Sequence, residues 1–390
     1  MEVPLLSLSI LLALATSAVI TAFDIPIIIS LAYRKKLVDV PDDKRKFHKQ
    51  PVPALGGIAI FIGIIISFSL WIGESIPVFY PYLIAGSVLL FTVGVNDDIL
   101  EMNPWKKLVA QILASAIIVI GGKVRLDFLD GLLGFGLLPE FFAIVFTIFA
   151  FVLIINAFNL IDGVDGLAAT MALIGAIFFC IWFFVNNHAG ESILAASLTG
   201  ALIGFLYYNR SPAKIFMGDT GSLIVGLIMA VMAFRLIELN SKSSVFAFEK
   251  PTVFALSLLI IPMADTIRVI IVRLMKKKSP FFPDRSHIHH RLLEMGFGHR
   301  NICRFLTITH LGIIGVALFL YSLEIHLYLL SIWGLAFMII PTAHILKRWQ
   351  ARLKLRLRER KLQKPTMESH YFMKPAKKVH RLAKVSELND

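Results

Sequence analysis

Residues 141–166 read Phe141-Phe-Ala-Ile-Val-Phe-Thr-Ile-Phe-Ala-Phe-Val-Leu-Ile-Ile-Asn-Ala-Phe158, then Asn159-Leu-Ile-Asp-Gly-Val-Asp-Gly166. The first part is an apolar run long enough to enter a bilayer. The second part places an amide and two carboxylates at the edge of that run. Asn159, Asp162 and Asp165 are spaced by three, so a helical segment would carry all three on one face. Such groups at a membrane boundary are costly unless they hold a metal or meet a substrate. The plainer reading is a turn and a helix start, since Asp and Asn cap helices and Gly163 and Gly166 suit a loop. Similar clusters at other membrane boundaries favour chemistry.

The rest of the chain fits that frame. It is 57% hydrophobic and 17% charged, and its mean hydropathy is +0.76. Many apolar runs are long enough to span, which defines an all-α polytopic membrane protein. Cys180 and Cys303 lie in apolar runs and offer neither a disulfide framework nor a Cys-based metal site. The apolar start, residues 3–20, lacks a basic leader and reads as a first span rather than a cleaved signal. The net charge of +13 is explained by membrane topology, so nucleic acid is not an expected partner.

About eleven spans are expected: 4–31, 53–73, 81–97, 107–122, 141–158, 166–186, 191–208, 221–239, 251–274, 302–322 and 326–346. The loops 33–52, 97–107, 158–165, 209–219 and 275–301 hold seventeen Lys or Arg, against four in the opposite set. The basic set is therefore expected in the cytoplasm, with the N-terminus outside and the C-terminus inside. Residues 1–346 form the expected transmembrane domain. Residues 347–390 form a basic, partly disordered cytoplasmic tail with fourteen Lys or Arg, drawn to anionic lipid.

On this topology the polar clusters share one face. Loop 33–52 carries Asp42 to His48, and Lys49. Loop 97–107 opens on Asn96-Asp97-Asp98 and closes on Lys106-Lys107. The Asn159–Asp165 cluster follows. Next come Asn209, Lys214 and Phe216-Met-Gly-Asp219, and finally Asp284-Arg-Ser-His287-Ile-His289-His290-Arg291. Five clusters on one side argue for one composite site for an anionic substrate. Asp97-Asp98 could be a solvated helix end, or a pair for Mg²⁺ with one member left as a base. The histidines could suggest zinc, but no cysteine is near, and flanking Arg285 and Arg291 suit phosphate better. Gly218-Asp219-Thr-Gly221 is either a turn or a carboxylate beside a phosphate-attracting helix start. Gly56-Gly57 suits close packing or a tight entry. Asp24 and Asp265 lie within spans as supporting residues, and Arg268, three positions on, is the natural partner of Asp265. Arg235, Arg268 and Arg273 are expected to pair or to snorkel.

Five strings in order carry a family resemblance: Pro51-Val-Pro-Ala-Leu-Gly-Gly57, Asp97-Asp98, Asn159-Leu-Ile-Asp-Gly-Val-Asp-Gly166, Phe216-Met-Gly-Asp-Thr-Gly221 and His287-Ile-His-His-Arg-Leu292. Over about residues 1–346 the chain resembles the polyprenyl-phosphate N-acetylhexosamine-1-phosphate transferases. Its His-Ile-His-His-Arg string looks like the branch serving O-antigen, common antigen or teichoic acid, not the branch using UDP-MurNAc-pentapeptide. The resemblance implies UDP-GlcNAc as donor, undecaprenyl phosphate as acceptor, UMP as product and Mg²⁺ (or Mn²⁺) as cofactor. It also implies a multi-pass protein of the bacterial inner membrane with its active site facing the cytoplasm. A homodimer is compatible with it. The basic tail departs from the pattern.

The implied roles are these. Asp219 is the first choice of metal ligand, with Asp98 and Asp162 next. Asp97 would deprotonate or orient the lipid phosphate, and Asp165 completes the catalytic acidic set. Lys106, Lys107, His287, His289, His290 and Arg291 would hold phosphates. Phe216 would stack on uracil, and Asn159, Asn209, Asp165 and Lys49 would line the donor site. Direct attack of the lipid phosphate and a covalent aspartyl intermediate both stay open. So do the same chemistry with another UDP-HexNAc and, more remotely, a membrane prenyltransferase or a secondary transporter.

Overall fold

The computed structural model describes residues 3–37, 51–73, 76–134, 136–243, 245–277 and 287–362. Lys49, the Asp42–His48 cluster and Asp284–Ser286 lie outside the described residues. Helices dominate: α1 (Val3–Lys35), α2 (Gly56–Trp71), α3 (Tyr80–Leu100), α4 (Pro104–Ala116), α5 (Glu140–Ile161), α6 (Leu167–Val185) and α7 (Ala189–Asn209) come first. They are followed by α8 (Gly218–Asn240), α9 (Pro251–Leu258), α10 (Ile260–Met275), α11 (Ile288–Glu294), α12 (His299–Phe319), α13 (Ile325–Phe337) and α14 (Ile339–Leu362). The chain falls into two compact units, residues 1–342 and 343–390. Among the described residues no β-strand forms, and an isolated bridge pairs Phe128 with Leu137. With water absent from a bilayer core, helices satisfy their backbone groups internally, and the apolar runs have no better option.

Every expected span carries a helix, but two of the eleven differ from a simple crossing. Nine helices among the described residues are long and apolar enough to cross a membrane. Helix α2 has sixteen residues, about 24 Å at 1.5 Å per residue. The expected single span over 251–274 is two helices, α9 and α10, bent by 86°. Pro262 supplies the reason: it has no N–H for the Leu258 carbonyl, and its ring crowds that carbonyl. The helix α14 continues past the expected last membrane residue, 346, as far as Leu362.

Helices α7 and α8 form the centre. In their apolar windows 89% and 83% of residues are buried, against 22% for α1. Small and hydroxyl side chains let α1, α2 and α7 meet closely, as expected where packing rather than hydrophobicity drives association. Ser67 of α2 donates to the Ala13 carbonyl at 2.6 Å and meets the Ser197 hydroxyl at 3.1 Å. The α7 backbone at Gly200 lies against the Leu14 carbonyl, leaving no room for a Cβ. The first turn of α8 packs directly on α2 and α3, with Gly57 against the Gly221 backbone and Gly94 against the Thr220 backbone.

Candidate functional site

The start of α8 has no capping side chain of its own. Its N-cap residue is Met217, which makes no such bond. Asp98 of α3 does the work instead. One carboxylate oxygen accepts the Asp219 N–H at 2.7 Å, and the other accepts the Thr220 N–H at 3.0 Å and the Thr220 hydroxyl at 2.6 Å. A negative group at the positive end of a helix is favourable. Gly218 adopts φ +68°, a region that favours glycine.

The Pro51–Gly57 string docks on the same turn. The Phe216 N–H donates to the Pro53 carbonyl at 2.9 Å. Gly56 and Gly57 N–H groups return bonds to the Phe216 and Met217 carbonyls at 2.9 and 2.8 Å. A Cβ on Gly57 would collide with the Gly221 backbone. The expectation of close packing at Gly56-Gly57 is met, and its partner is the Phe216–Gly221 string.

Asp219 is the hub. One oxygen accepts the Asn159 amide at 2.9 Å, and the other is ion-paired with Lys107. Lys107 also bonds Asp97 at 2.8 Å, and Asp97 accepts the Met102 N–H at 2.7 Å. Asp97 thus holds Lys107 against Asp219. Lys106 is exposed and stands apart from this network. One turn beyond Lys107 on α4, Gln111 and Asn156 exchange amide bonds at 2.6 and 3.3 Å, pinning α4 to α5 beside Lys107 and Asn159.

Helix α5 ends at Ile161, so Asn159, Asp162 and Asp165 do not share one helical face as expected. Asn159 points to Asp219. Asp162 follows the helix end and accepts no hydrogen bond among the described residues. Burial, then the carboxylates of Asp219, Asp98 and Asp165, push its carboxyl up to about 7. Asp165 turns elsewhere, to His299 at 3.1 Å and to the Ala213 N–H at 3.3 Å. Burial alone would raise its carboxyl, but the His299 hydrogen bond and charge, aided by Ser211 and Ala213, hold it below the usual range.

Asn209 is buried and braces two loops: its oxygen accepts the Gly166 N–H at 2.9 Å and its amide donates one N–H to the Ile215 carbonyl at 2.7 Å. Phe216 is half-buried beside the hub, its backbone fixed on both sides.

The histidine string reaches the same place. His289 is 2% exposed, and a Cβ on Gly163 would run into its ring. Burial, then His290, lowers His289 to about 3, so its ring is neutral at ordinary pH. The His290 ring centre lies 4.3 Å from that of His289 with the planes tilted by 45°, and Arg291 is exposed. His287 is turned away from the hub, into a buried bond with Asp265.

Among the described residues no three His, Cys, Asp or Glu side chains form a closed metal cage. Mg²⁺ does not need one, since it commonly uses one or two carboxylates, waters and substrate phosphates. The donor set suits it: all oxygen, with Asp162 lacking a donor and Asp219 countered by a single lysine. Asp98 is already committed to capping α8.

Thr220, Ser222, Gln111, Asn156 and His299 were not singled out by the sequence. The Gly-Asp-Thr-Gly start, with no capping residue before it, is the one signal that an outside carboxylate was needed.

Residues 80–237 match the family described as glycosyl transferase family 4. The decaprenyl-phosphate N-acetylglucosaminephosphotransferase of Mycolicibacterium smegmatis is 32% identical over 309 residues, covering 73% of this chain and 75% of the relative. A probable undecaprenyl-phosphate N-acetylglucosaminyl 1-phosphate transferase of Bacillus subtilis is 33% identical, covering 74% and 78%. The undecaprenyl-phosphate alpha-N-acetylglucosaminyl 1-phosphate transferase of Escherichia coli is 30% identical, covering 71% and 75%. The chain belongs to glycosyl transferase family 4 and is a multi-pass membrane protein of the polyprenyl-phosphate N-acetylhexosamine-1-phosphate transferase kind.

Proposed function

We propose that this chain transfers N-acetylglucosamine-1-phosphate from UDP-GlcNAc to undecaprenyl phosphate, releasing UMP. The observation that carries this reading is the Asp219 hub, where α3, α4, α5 and α8 bring Asp97, Asp98, Lys107, Asn159 and Asp162 to one membrane-edge position. The relatives' names supply the donor sugar and the lipid class. The basic loops at this end, seventeen Lys or Arg against four, support a cytoplasmic site in a bacterial inner membrane.

An oxygen of the lipid phosphate attacks the β-phosphorus of the donor, the bond to the UMP oxygen breaks, and UMP leaves with the electron pair. Both reactants are anions, so positioning and charge neutralisation dominate the barrier. Asp219 and Asp162 would hold Mg²⁺, which supplies charge neutralisation on the diphosphate. Lys107 exchanges Asp219 for a substrate phosphate, with Asp97 keeping its ammonium in place. Asp97, already bonded to Lys107 and to the Met102 N–H, is a poor base. The acceptor needs none, because the second pKa of a phosphate monoester is about 6. Phe216 offers a ring face to uracil, His290 and Arg291 reach phosphate, and His289 contributes a neutral surface over Gly163.

Membranes bearing the chain, given radiolabelled UDP-GlcNAc, undecaprenyl phosphate and Mg²⁺, should yield lipid-extractable label and UMP. A folded preparation that makes neither would end this reading.

A further inference from the structure

Asp265 sits just past the α9–α10 bend, 4% exposed, and three donors converge on it. The His287 ring nitrogen Nδ1 approaches one oxygen at 2.9 Å. The other oxygen accepts the Ile288 N–H at 2.7 Å and the Arg268 guanidinium at 2.8 Å. Arg268 fulfils the pairing expected from sequence. The other two contacts reach across twenty-two and twenty-three residues.

These two contacts fix the start of α11. His287, the residue before that helix, makes no capping bond with its own side chain. Asp265 supplies an acceptor for the first helical N–H and fixes the His287 ring with the same carboxylate. His287 then lies nearly parallel to His289, with ring centres 5.9 Å apart and planes 11° apart. His289 rests on Gly163, next to Asp162. A continuous path of contacts therefore runs from the bent helix pair, through the histidine string, to the acidic hub.

We propose that Asp265 is a positioning residue for donor binding: it sets His289, His290 and Arg291 over the 159–166 loop, where they meet the nucleotide-sugar diphosphate. This rests on the reading given under Proposed function. Asp265 itself is turned away from the hub. Its effect passes through His287 and Ile288, and the bend places it there.

The test uses the full-length chain in nanodiscs. Losing hydrogen bonds to a charged acceptor should make Asp265→Ala raise the donor KM about tenfold to a hundredfold. The kcat should stay within about threefold, since phosphate contacts present in the ground state mainly affect KM. His287→Ala should do the same, and the double variant should be no worse than either single one. Asp265→Asn, which still accepts the Ile288 N–H, should recover part of the loss. Amide exchange should quicken over residues 288–295 in Asp265→Ala and stay unchanged over 218–224.

Three results would overturn the proposal: an unchanged KM in the folded variant, a fall in kcat alone, or faster exchange spread evenly over the whole helical unit. If Asp265→Ala does not fold, Asp265→Asn and His287→Ala carry the same comparison. If the unaltered chain transfers no sugar phosphate, the functional reading fails, and the exchange measurement still decides whether Asp265 anchors the string.

Discussion

The two ends of α8 both carry clustered charge, and they use it differently. At the far end Arg235 bonds Glu191 at 2.6 and 3.0 Å and Glu238 at 2.5 Å, and it lies 5.0 Å from the centre of the Phe79 ring. Lys242 adds a second cation at 3.6 Å from Glu238. Two carboxylates face two cations, and the cluster is closed. At the near end Asp97, Asp98, Asp162 and Asp219 face Lys107 and one helix start. Balanced charge in an apolar setting is architecture, whereas a surplus of one sign calls for a ligand of the other sign.

The sharpest way to break this contrast is Asp219→Asn. It should lower kcat by about a thousandfold or more, the scale of losing a principal electrostatic contact to the reacting group. Helix content and Tm should stay near those of the unaltered chain. A near-normal turnover would mean the hub is not the reactive centre. Excess chelator should likewise stop transfer, with Mg²⁺ or Mn²⁺ restoring it and Zn²⁺ not. Full activity in chelator would leave the carboxylate surplus without its proposed cation.

Lys107→Met should reduce kcat/KM by about a hundredfold, consistent with losing a charged hydrogen-bond donor. Asp97→Asn should cost less, and the double variant should match Lys107→Met, because Asp97 acts by holding Lys107. Additive losses in that cycle would give Asp97 a separate task.

Asp162 allows a pH measurement. In the folded chain its carboxyl titrates near 7, against 3.8 for the ordinary group. The folded state therefore keeps a proton that the unfolded state gives up between these values, and stability falls as pH rises through that window. Asp162→Asn, which cannot ionise, should raise Tm at pH 8 in chelator by about 3 °C and make little difference at pH 4. Added Mg²⁺ should shrink the gain. Equal effects at both pH values would show that Asp162 is not carrying unfavourable charge.

The smallest effect on turnover is expected at the balanced end. Glu191→Gln should lower Tm, since it leaves Arg235 less well matched in a buried place, while kcat and donor KM stay within about twofold. A large loss of turnover in a folded variant would mean the two ends are coupled through α8.

Hydropathy located the helices because long apolar runs have few alternatives in a bilayer. It could not locate the bend. Pro26 and Pro262 each follow an isoleucine, yet α1 runs unbroken through Pro26 while the chain turns by 86° before Pro262. Which proline bends a helix depends on what packs around the freed carbonyl, and that is not written locally. The five strings marked the region of the site, gathering Asp97, Asp98, Asn159, Asp162 and Asp219, and the loop after Asp98 added Lys107. Their division of labour was hidden. Asp98 caps α8, Asn209 ties Gly166 to Ile215 and His289 packs on Gly163, and the partner that sets each contact includes one tens of residues away in the chain.

The cap that Asp98 provides has a consequence for biosynthesis. Its partners at Asp219 and Thr220 lie 121 and 122 positions downstream. At 5–20 residues per second the ribosome needs about 6 to 24 s to make that stretch. During that interval α3 is in the membrane with its paired carboxylates at the edge, while the helix start they will hold does not yet exist. The acidic hub is therefore completed only when α8, which starts just past the middle of the chain, arrives against α2 and α3. A nascent chain stopped before that point carries Asp97 and Asp98 but has no hub to act with.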